Sequence, residues 1–499
     1  MRGLFGLLLA FVVALGGCTR VPEEQSLRRE VEARLAGALP AGTVEITAFA
    51  RRGAQRDAAA PAGSVRRVVY YDLELRLLRD YDFGAWDAPG VAGLVSALGA
   101  GPKGLRGIGS GGNRAGDRLR AHGTLLYERQ GANWIAMLPA GYGPVAAPTL
   151  ARGGPASAPE KLMTALRETM RRAPPEASQS LQEALQQELE DAYAAVRARL
   201  ARFERGYAIA AGPSGGQYLR LVQAFADDPA NRIVPLVTSG GDENLRLLRD
   251  GRVDLALSQG DAVLAAYRGE GLFADSGPYP QLRAIGSLYP EVLHAIVRAD
   301  SGIDALAALR GRRVAVGVPG SAARATAIAV LEAHGLAAPA VELDDYSLGA
   351  ALVALRAREV DAVITVIGIP ADSIRVAATA LPLRLLALEE SAVAALLRAN
   401  PAYLAFTIPR NTYAGAAAAT RSIATPALLL AGGDLSDAEI VAVTRNVFGT
   451  HIDLVALGSS QGAQLSAANA MLALPVPQHP VALRVLAELA ASRDSGAPR

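Results

Sequence analysis

The sequence predicts an α/β fold: two similar lobes forming a clamp, preceded by a small α+β unit and a helical spacer. Three observations carry this expectation. At 499 residues the chain is too long for one core, so two or three domains are expected. From Gly206 onward it repeats strand, glycine loop and helix, the pattern of an α/β domain with parallel strands. Within that region Leu247–Asp261 and Leu355–Gly368 share a helix, a Val-Asp pair and an apolar strand, as two related lobes with a sheet each would.

Residues 1–17 read as an export signal, with Arg2 followed by an apolar stretch from Leu4 to Leu15, too short for a permanent membrane span. The run Leu15-Gly16-Gly17-Cys18 resembles the bacterial lipobox, which implies cleavage before Cys18 and its acylation. Thr19 rather than Asp follows, which in a Gram-negative host implies sorting to the outer membrane. Cys18 is the only cysteine. Once it is lipidated, disulfides, thiolate metal sites and cysteine nucleophiles are excluded.

Residues 18–150 read as the small α+β unit. Leu27, Val31, Leu35 and Leu39 recur at helical spacing, and Pro40-Ala41-Gly42 stops that helix. Val44 and Ile46 begin a short strand. Val69, Tyr71, Leu73, Leu75 and Leu77 then alternate with polar residues, as in a half-buried strand. Thr124 to Tyr127 forms another, turning at Gln130-Gly131 into one around Trp134-Ile135. Residues 151–205 read as linker and helical spacer, 206–490 as the two-lobed unit, and 491–499 as a disordered tail.

Net charge is +2, without the concentrated basic surface a nucleic-acid partner requires. Only Lys103 and Lys161 are lysines, so arginine carries nearly all the positive charge, in keeping with an Ala- and Gly-rich composition. No cofactor or metal is expected: His294 and His479 lack neighbours at metal-ligand spacing and read as structural.

In the two-lobed region Tyr207–Ala211 leads into Gly212-Pro213-Ser214-Gly215-Gly216, and Ile233–Val237 into Thr238-Ser239-Gly240-Gly241. Arg313–Val318 leads into Pro319-Gly320-Ser321 and a helix through Leu331. A helix start offers unpaired N–H groups and partial positive charge, which suits a carboxylate. Glycine lets the backbone approach it. The candidate ligand residues are therefore Ser214, Gly215, Gly216, Tyr218, Ser239, Gly240, Asn244, Gln259, Asp261, Ser321, Ala322 and Arg324. Tyr218, Ser239, Asn244 and Ser321 bond a ligand or cap helices. Asp261 takes a ligand ammonium or caps its own helix. Arg324, a cation in a first helical turn, takes a carboxylate partner or stays solvated.

An ordered series resembles the TAXI solute-binding proteins of TRAP transporters, over about Tyr207 to Leu489. It comprises Gly215-Gly216-Gln217-Tyr218, Ser239-Gly240 with Glu243-Asn244-Leu245, Gln259-Gly260-Asp261, Leu288-Tyr289-Pro290-Glu291 with Leu293-His294, Asp300-Ser301-Gly302-Ile303, Gly317-Val318-Pro319-Gly320-Ser321, Gly368-Ile369-Pro370 and Pro477-Gln478-His479-Pro480. The resemblance implies a periplasmic-binding-protein type II-like clamp without catalysis, passing a small anionic solute (an organic acid or amino acid) to a membrane permease. Three positions depart from it: Gly320-Ser321-Ala322-Ala323 where Gly-Ser-Gly-Thr is usual, Arg358 for a glycine, and Val481 after His479-Pro480. The first touches the ligand loop, so ligand identity does not transfer. A ligand sensor signalling to a partner through the N-terminal unit is the second reading.

Two motifs imitate enzymes. Gly107-Ile108-Gly109-Ser110-Gly111-Gly112 fits a dinucleotide fingerprint but follows no predicted strand, so it reads as a flexible loop. Gly458-Ser459-Ser460-Gln461-Gly462 fits a hydrolase elbow after an expected strand at 452–457. No acid stands between Ser460 and His479, which leaves an esterase the remotest reading.

Overall fold

A computed structural model describes residues 24–57, 60, 63–86, 88, 90–101, 104–131, 133–137, 196, 199–200, 202–319, 321–449 and 453–494. The signal segment, Cys18, Thr19, nearly all of the linker and spacer, Gly320 and residues 495–499 lie outside them.

The N-terminal unit comprises α1 (Glu24–Ala38), β1 (Val44–Arg56), β2 (Arg66–Leu77), α2 (Gly90–Leu98), β3 (Leu105–Arg106), β4 (Arg118–Gln130) and β5 (Asn133–Ala136). Its sheet is antiparallel in the order β1-β2-β4-β3, with β5 also on β4. Leu27, Val31 and Leu35 of the first helix, with Leu39 just after it, pack on Val69, Tyr71, Leu73 and Leu75 of β2. Strands β1 and β4 each run 13 residues, longer than the sequence pattern indicates. The reason for β1 is its edge position: pairing to β2 along its length sustains it, while Val44, Ile46, Phe49 and Ala54 pack on the core only partly buried.

The clamp begins with β6 (Tyr207–Gly212), α3 (Gln217–Ala226), β7 (Ile233–Val237), α4 (Gly241–Arg249), β8 (Leu255–Gln259), α5 (Gly260–Arg268) and β9 (Arg283–Arg298). The second lobe adds β10 (Arg313–Ala315), α6 (Ala322–Ala333), β11 (Glu342–Asp344), α7 (Leu348–Ala357), β12 (Ala362–Gly368), α8 (Asp372–Ala380), β13 (Leu383–Leu385), α9 (Glu390–Ala399) and β14 (Leu404–Ile408). The chain returns along β15 (Thr420–Ala431) to α10 (Asp437–Phe448) and α11 (Pro480–Asp494), which reaches past residue 491, where the tail is expected to begin.

Each lobe has a parallel trio, β7-β6-β8 and β11-β10-β12. The expectation of a separate sheet per lobe is corrected here. The trios are the flanks of one ten-stranded sheet, in which eight strands run in the order β11-β10-β12-β9-β15-β8-β6-β7 while β13 pairs with β9 and β14 with β15. The join is possible because β9, with 16 residues, and β15, with 12, are long enough to traverse both lobes. At the crossing Pro290 lies opposite Pro426, beside a register shift between Ala427 and Leu428. Proline has no N–H, so the facing pair contributes no ladder donor. We take this proline pair as the pivot between the lobes.

Both enzyme-like motifs take another role. The Gly107 N–H donates to the Asp453 carboxylate, and the Ser110 hydroxyl to the Gly462 carbonyl at 3.1 Å. The expected flexible loop is thus docked. The expected strand at 452–457 is not formed among its described residues: 454–458 are turns, and Ser460 is buried in a short 3-10 helix. Val455 and Ala463 enter the N-terminal core beside Phe83, Leu94 and Ile108. A Cβ on Gly84 would fall 2.0 Å from the Ala463 carbonyl oxygen, so glycine serves close backbone approach at this interface. Among the described residues no helix is long and apolar enough to cross a membrane.

Candidate ligand-binding site at the lobe crossing

The carboxyl ends of the two central parallel strands converge on the pivot. Gln259, last in β8, lies opposite Ala427, and Gly368, last in β12, lies opposite Glu291. Helix α5 starts directly after Gln259, and a Cβ on Gly260 would lie 2.8 Å from the Pro426 ring. Glycine therefore lets the helix start abut the pivot.

Asp261 stands in the first turn of α5, 7% exposed. Its N–H donates to the Thr425 hydroxyl (3.2 Å), and its carboxylate accepts the Ala262 N–H (3.0 Å). The carboxylate also accepts the hydroxyls of Thr326 and Tyr403 (3.2 Å for Tyr403), which belong to the second lobe. Gln217 of the first lobe donates to the Gly368 and Pro370 carbonyls of the second at 2.8 and 3.2 Å. The lobes are closed on each other here.

Two further acids surround this contact. Glu291 accepts the Tyr218 hydroxyl; burial pushes its carboxyl up to about 8, the Tyr218 bond opposes this and the Asp261 charge adds to it. Asp242, in the first turn of α4 and 2% exposed, is pushed up to about 7, by burial first and by Asp261 second. Its Oδ2 is buried without a hydrogen-bond partner among the described residues, as is the Ser258 hydroxyl. Burial likewise raises Asp261, against the bonds it accepts. Three buried acids in one region favour a neutral protonation state or a positively charged guest. Among the described residues no group of three or more His, Cys, Asp or Glu is arranged to hold a metal ion.

The expected site residues divide into those at this crossing and those committed elsewhere. Tyr218, Gln259 and Asp261 meet Glu291 there, Gln259 through a side-chain bond to it. Ala322 is buried in the first lobe's cluster, against Ala262 and Leu264. Gly216 and Gly240 occupy N-cap positions without side-chain caps; Gly215 and Gly240 have φ of 81° and 147°, where glycine is favoured. Ser214 is exposed. The Ser239 N–H and hydroxyl both donate to Glu243. Asn244 accepts from Thr238 and donates to the Ala211 and Leu257 carbonyls, tying strand ends inside the first lobe. Ser321 caps α6 by accepting the Arg324 N–H at 3.4 Å, and Arg324 pairs with Asp345 at 2.8 Å.

Glu291, Asp242, Thr326, Tyr403 and Thr425 were not among the expected residues. Glu291 had a signal: it is the one carboxylate within the apolar run Arg283–Arg298. His294 is structural: its Nδ1–H faces the Val292 carbonyl (2.8 Å), which leaves Nε2 to accept from Tyr413 (2.9 Å), and burial lowers its pKa to about 4.

A family model described as the NMT1-like family matches residues 209–489. The alkanesulfonate-binding protein SsuA from Xanthomonas axonopodis pv. citri, bound to MOPS, is 18% identical over 58% of this chain and 91% of its own, with a TM-score of 0.33. The periplasmic aliphatic sulphonate binding protein SsuA from Escherichia coli is 18% identical over 58% of this chain and 84% of its own (TM-score 0.30). A Brucella ovis ABC transporter / periplasmic binding protein with glutathione bound is 12% identical over 50% and 69% (TM-score 0.31). Similarities this distant say nothing of what this chain holds.

Proposed function

We propose that this chain, which belongs to the NMT1-like family, is an extracytoplasmic solute-binding protein whose lobes close around a small solute for delivery to a membrane permease. The observation that carries this reading is the Asp261 carboxylate of the first lobe, bonded by the Thr326 and Tyr403 hydroxyls of the second beside the Pro290–Pro426 pivot. A solute at that point touches both lobes, so it favours the closed form by its differential affinity. Residues 206–490 are the binding unit in this reading. The TAXI resemblance makes a TRAP-type permease the partner, and the lipobox makes Cys18 the tether on the periplasmic side.

The solute is amino-acid-like rather than purely anionic. The helix starts at Gly216 and Gly240, which carry no side-chain cap, suit a carboxylate. Asp242, Asp261 and Glu291 suit a protonated amine. Mass spectrometry of solute retained through native purification identifies candidates, and calorimetry then compares an amino acid with its deaminated analogue. The amino compound is expected to bind at least about tenfold tighter, about 1.4 kcal/mol. Equal affinities would remove the acids from the site.

A ligand-sensing role has one observation in its favour. The Gly37 carbonyl of the N-terminal unit accepts a 3.5 Å bond from Asn411 of the second lobe, so the unit touches a lobe that moves. Uptake lost with an adjacent permease gene supports import; uptake unaffected by that loss supports sensing.

A further inference from the structure

We propose that Arg375 and Arg220 form, when the lobes close, a site for a small monovalent anion of halide to carboxylate size, distinct from the acid cluster. Arg375 lies in the first turn of α8, is 4% exposed, and donates through Nη2 to Asp372 at 3.3 Å. Its Nε and Nη1 are buried with no partner among the described residues. Unmet donors on a buried cation are costly, and a cation in a first helical turn also opposes the helix dipole.

Charge bookkeeping points the same way. The second oxygen of Asp372 is taken by Arg220 Nη1, 2.9 Å away, from α3 of the other lobe. One carboxylate therefore serves two guanidinium groups, and among the described residues no other carboxylate stands within ion-pair distance of either. Closure thus assembles a net positive corner with open donors. The nearby Tyr413 hydroxyl is not available to Arg375: it serves His294 Nε2 and accepts the Ala371 N–H at 3.0 Å. Ala371, Ile374 and Tyr413 belong to an apolar cluster. Dry apolar walls and a carboxylate neighbour disfavour strongly hydrated multivalent anions and favour a weakly hydrated monovalent one.

Bromide is the probe. In crystals of the full chain soaked in sodium bromide, an anomalous peak is expected within hydrogen-bonding reach of Arg375 Nε or Nη1. In solution, replacing sodium gluconate by sodium bromide at fixed ionic strength is expected to raise the unfolding midpoint of the native chain and leave that of Arg375→Met unchanged. Arg375→Gln serves as the second variant should the first fail to fold. A water without anomalous signal at Arg375, or equal bromide stabilisation of native and variant chains, overturns the site. A solute carboxylate in place of a free anion would appear as bromide excluded by saturating solute, and that too would overturn the distinctness claimed here.

Discussion

In the first lobe Asp254 follows Val253, and its carboxylate accepts the Ala208 N–H at the start of β6 at 2.8 Å. In the second, Asp361 follows Val360 and accepts the Arg313 N–H at the start of β10 at 3.1 Å. Backbone bonds back to Ala208 and Arg313 complete the same bracket in each lobe. The scaffolds match, but the strand ends do not. The first lobe brings Asp242, Gln259, Asp261 and Tyr218 to the crossing, three of them wholly within a buried layer. The second brings the hydroxyls of Thr326 and Tyr403. At Asp261 the first lobe carries the acceptor and the second the hydroxyl donors that close on it. That asymmetry makes closure sensitive to whatever competes for Asp261.

The largest effect is expected from Asp261→Ala. It removes the acceptor of both interlobe hydroxyls, at roughly 1.5–3 kcal/mol for a bond to a charged group. Solute affinity should fall about 100-fold. Calorimetry with the co-purified solute measures this, and an unchanged constant would reverse the roles assigned to the lobes.

Gly84→Ala sharpens the comparison from outside the clamp. Its Cβ collides with Ala463, and overpacking of this kind costs about 1–3 kcal/mol. Docking of the N-terminal unit should loosen, seen as faster proteolysis between the units, while solute affinity holds. A matching loss of affinity would make that unit part of the site.

pH acts next. Glu291 and Asp242 keep protons in the folded chain up to about 8 and about 7, protons that the unfolded chain releases near pH 4. Solute-free stability should therefore fall as pH rises from about 4 to 8. Binding of an amine-bearing solute should instead strengthen over about pH 6 to 8, by about tenfold, because the amine requires the ionised acids. Affinity flat across that range would separate the acids from the solute.

The smallest effect tests the scaffold alone. Gly251 and Arg358 occupy corresponding turns at the same φ of 62°, favourable for glycine and strained for arginine. The exposed Arg358–Asp300 pair gives little in return. Arg358→Gly should raise the unfolding midpoint by about 2 °C without altering affinity. Calorimetric scanning decides it.

Much of the scaffold was legible because glycine turns and apolar strands announce their own ends. Tyr218, Gln259 and Asp261 were legible for a topological reason: they follow the carboxyl ends of parallel strands, where α/β sheets place their sites. Glu291 was hidden inside an apolar strand, with proline before it as the only hint of a pivot. Asn244 looked like a ligand residue, yet three strand ends use its amide. Glycines at 107–112 and 458–462 were ambiguous because a sequence does not distinguish a backbone approaching phosphate from one approaching another backbone. The single joined sheet was out of reach, since strand partners twelve or more residues apart leave no local pattern.

The central claim is that a solute closes the lobes about Pro290 and Pro426, and an interlobe distance tests it most directly. Spin labels at Leu272→Cys and Val353→Cys, exposed positions on the first and second lobes, in a Cys18→Ser background report that distance by pulsed electron paramagnetic resonance. The account predicts a shift to shorter distances on adding the co-purified solute, weakened in Asp261→Ala. A distribution identical with and without saturating solute would contradict it.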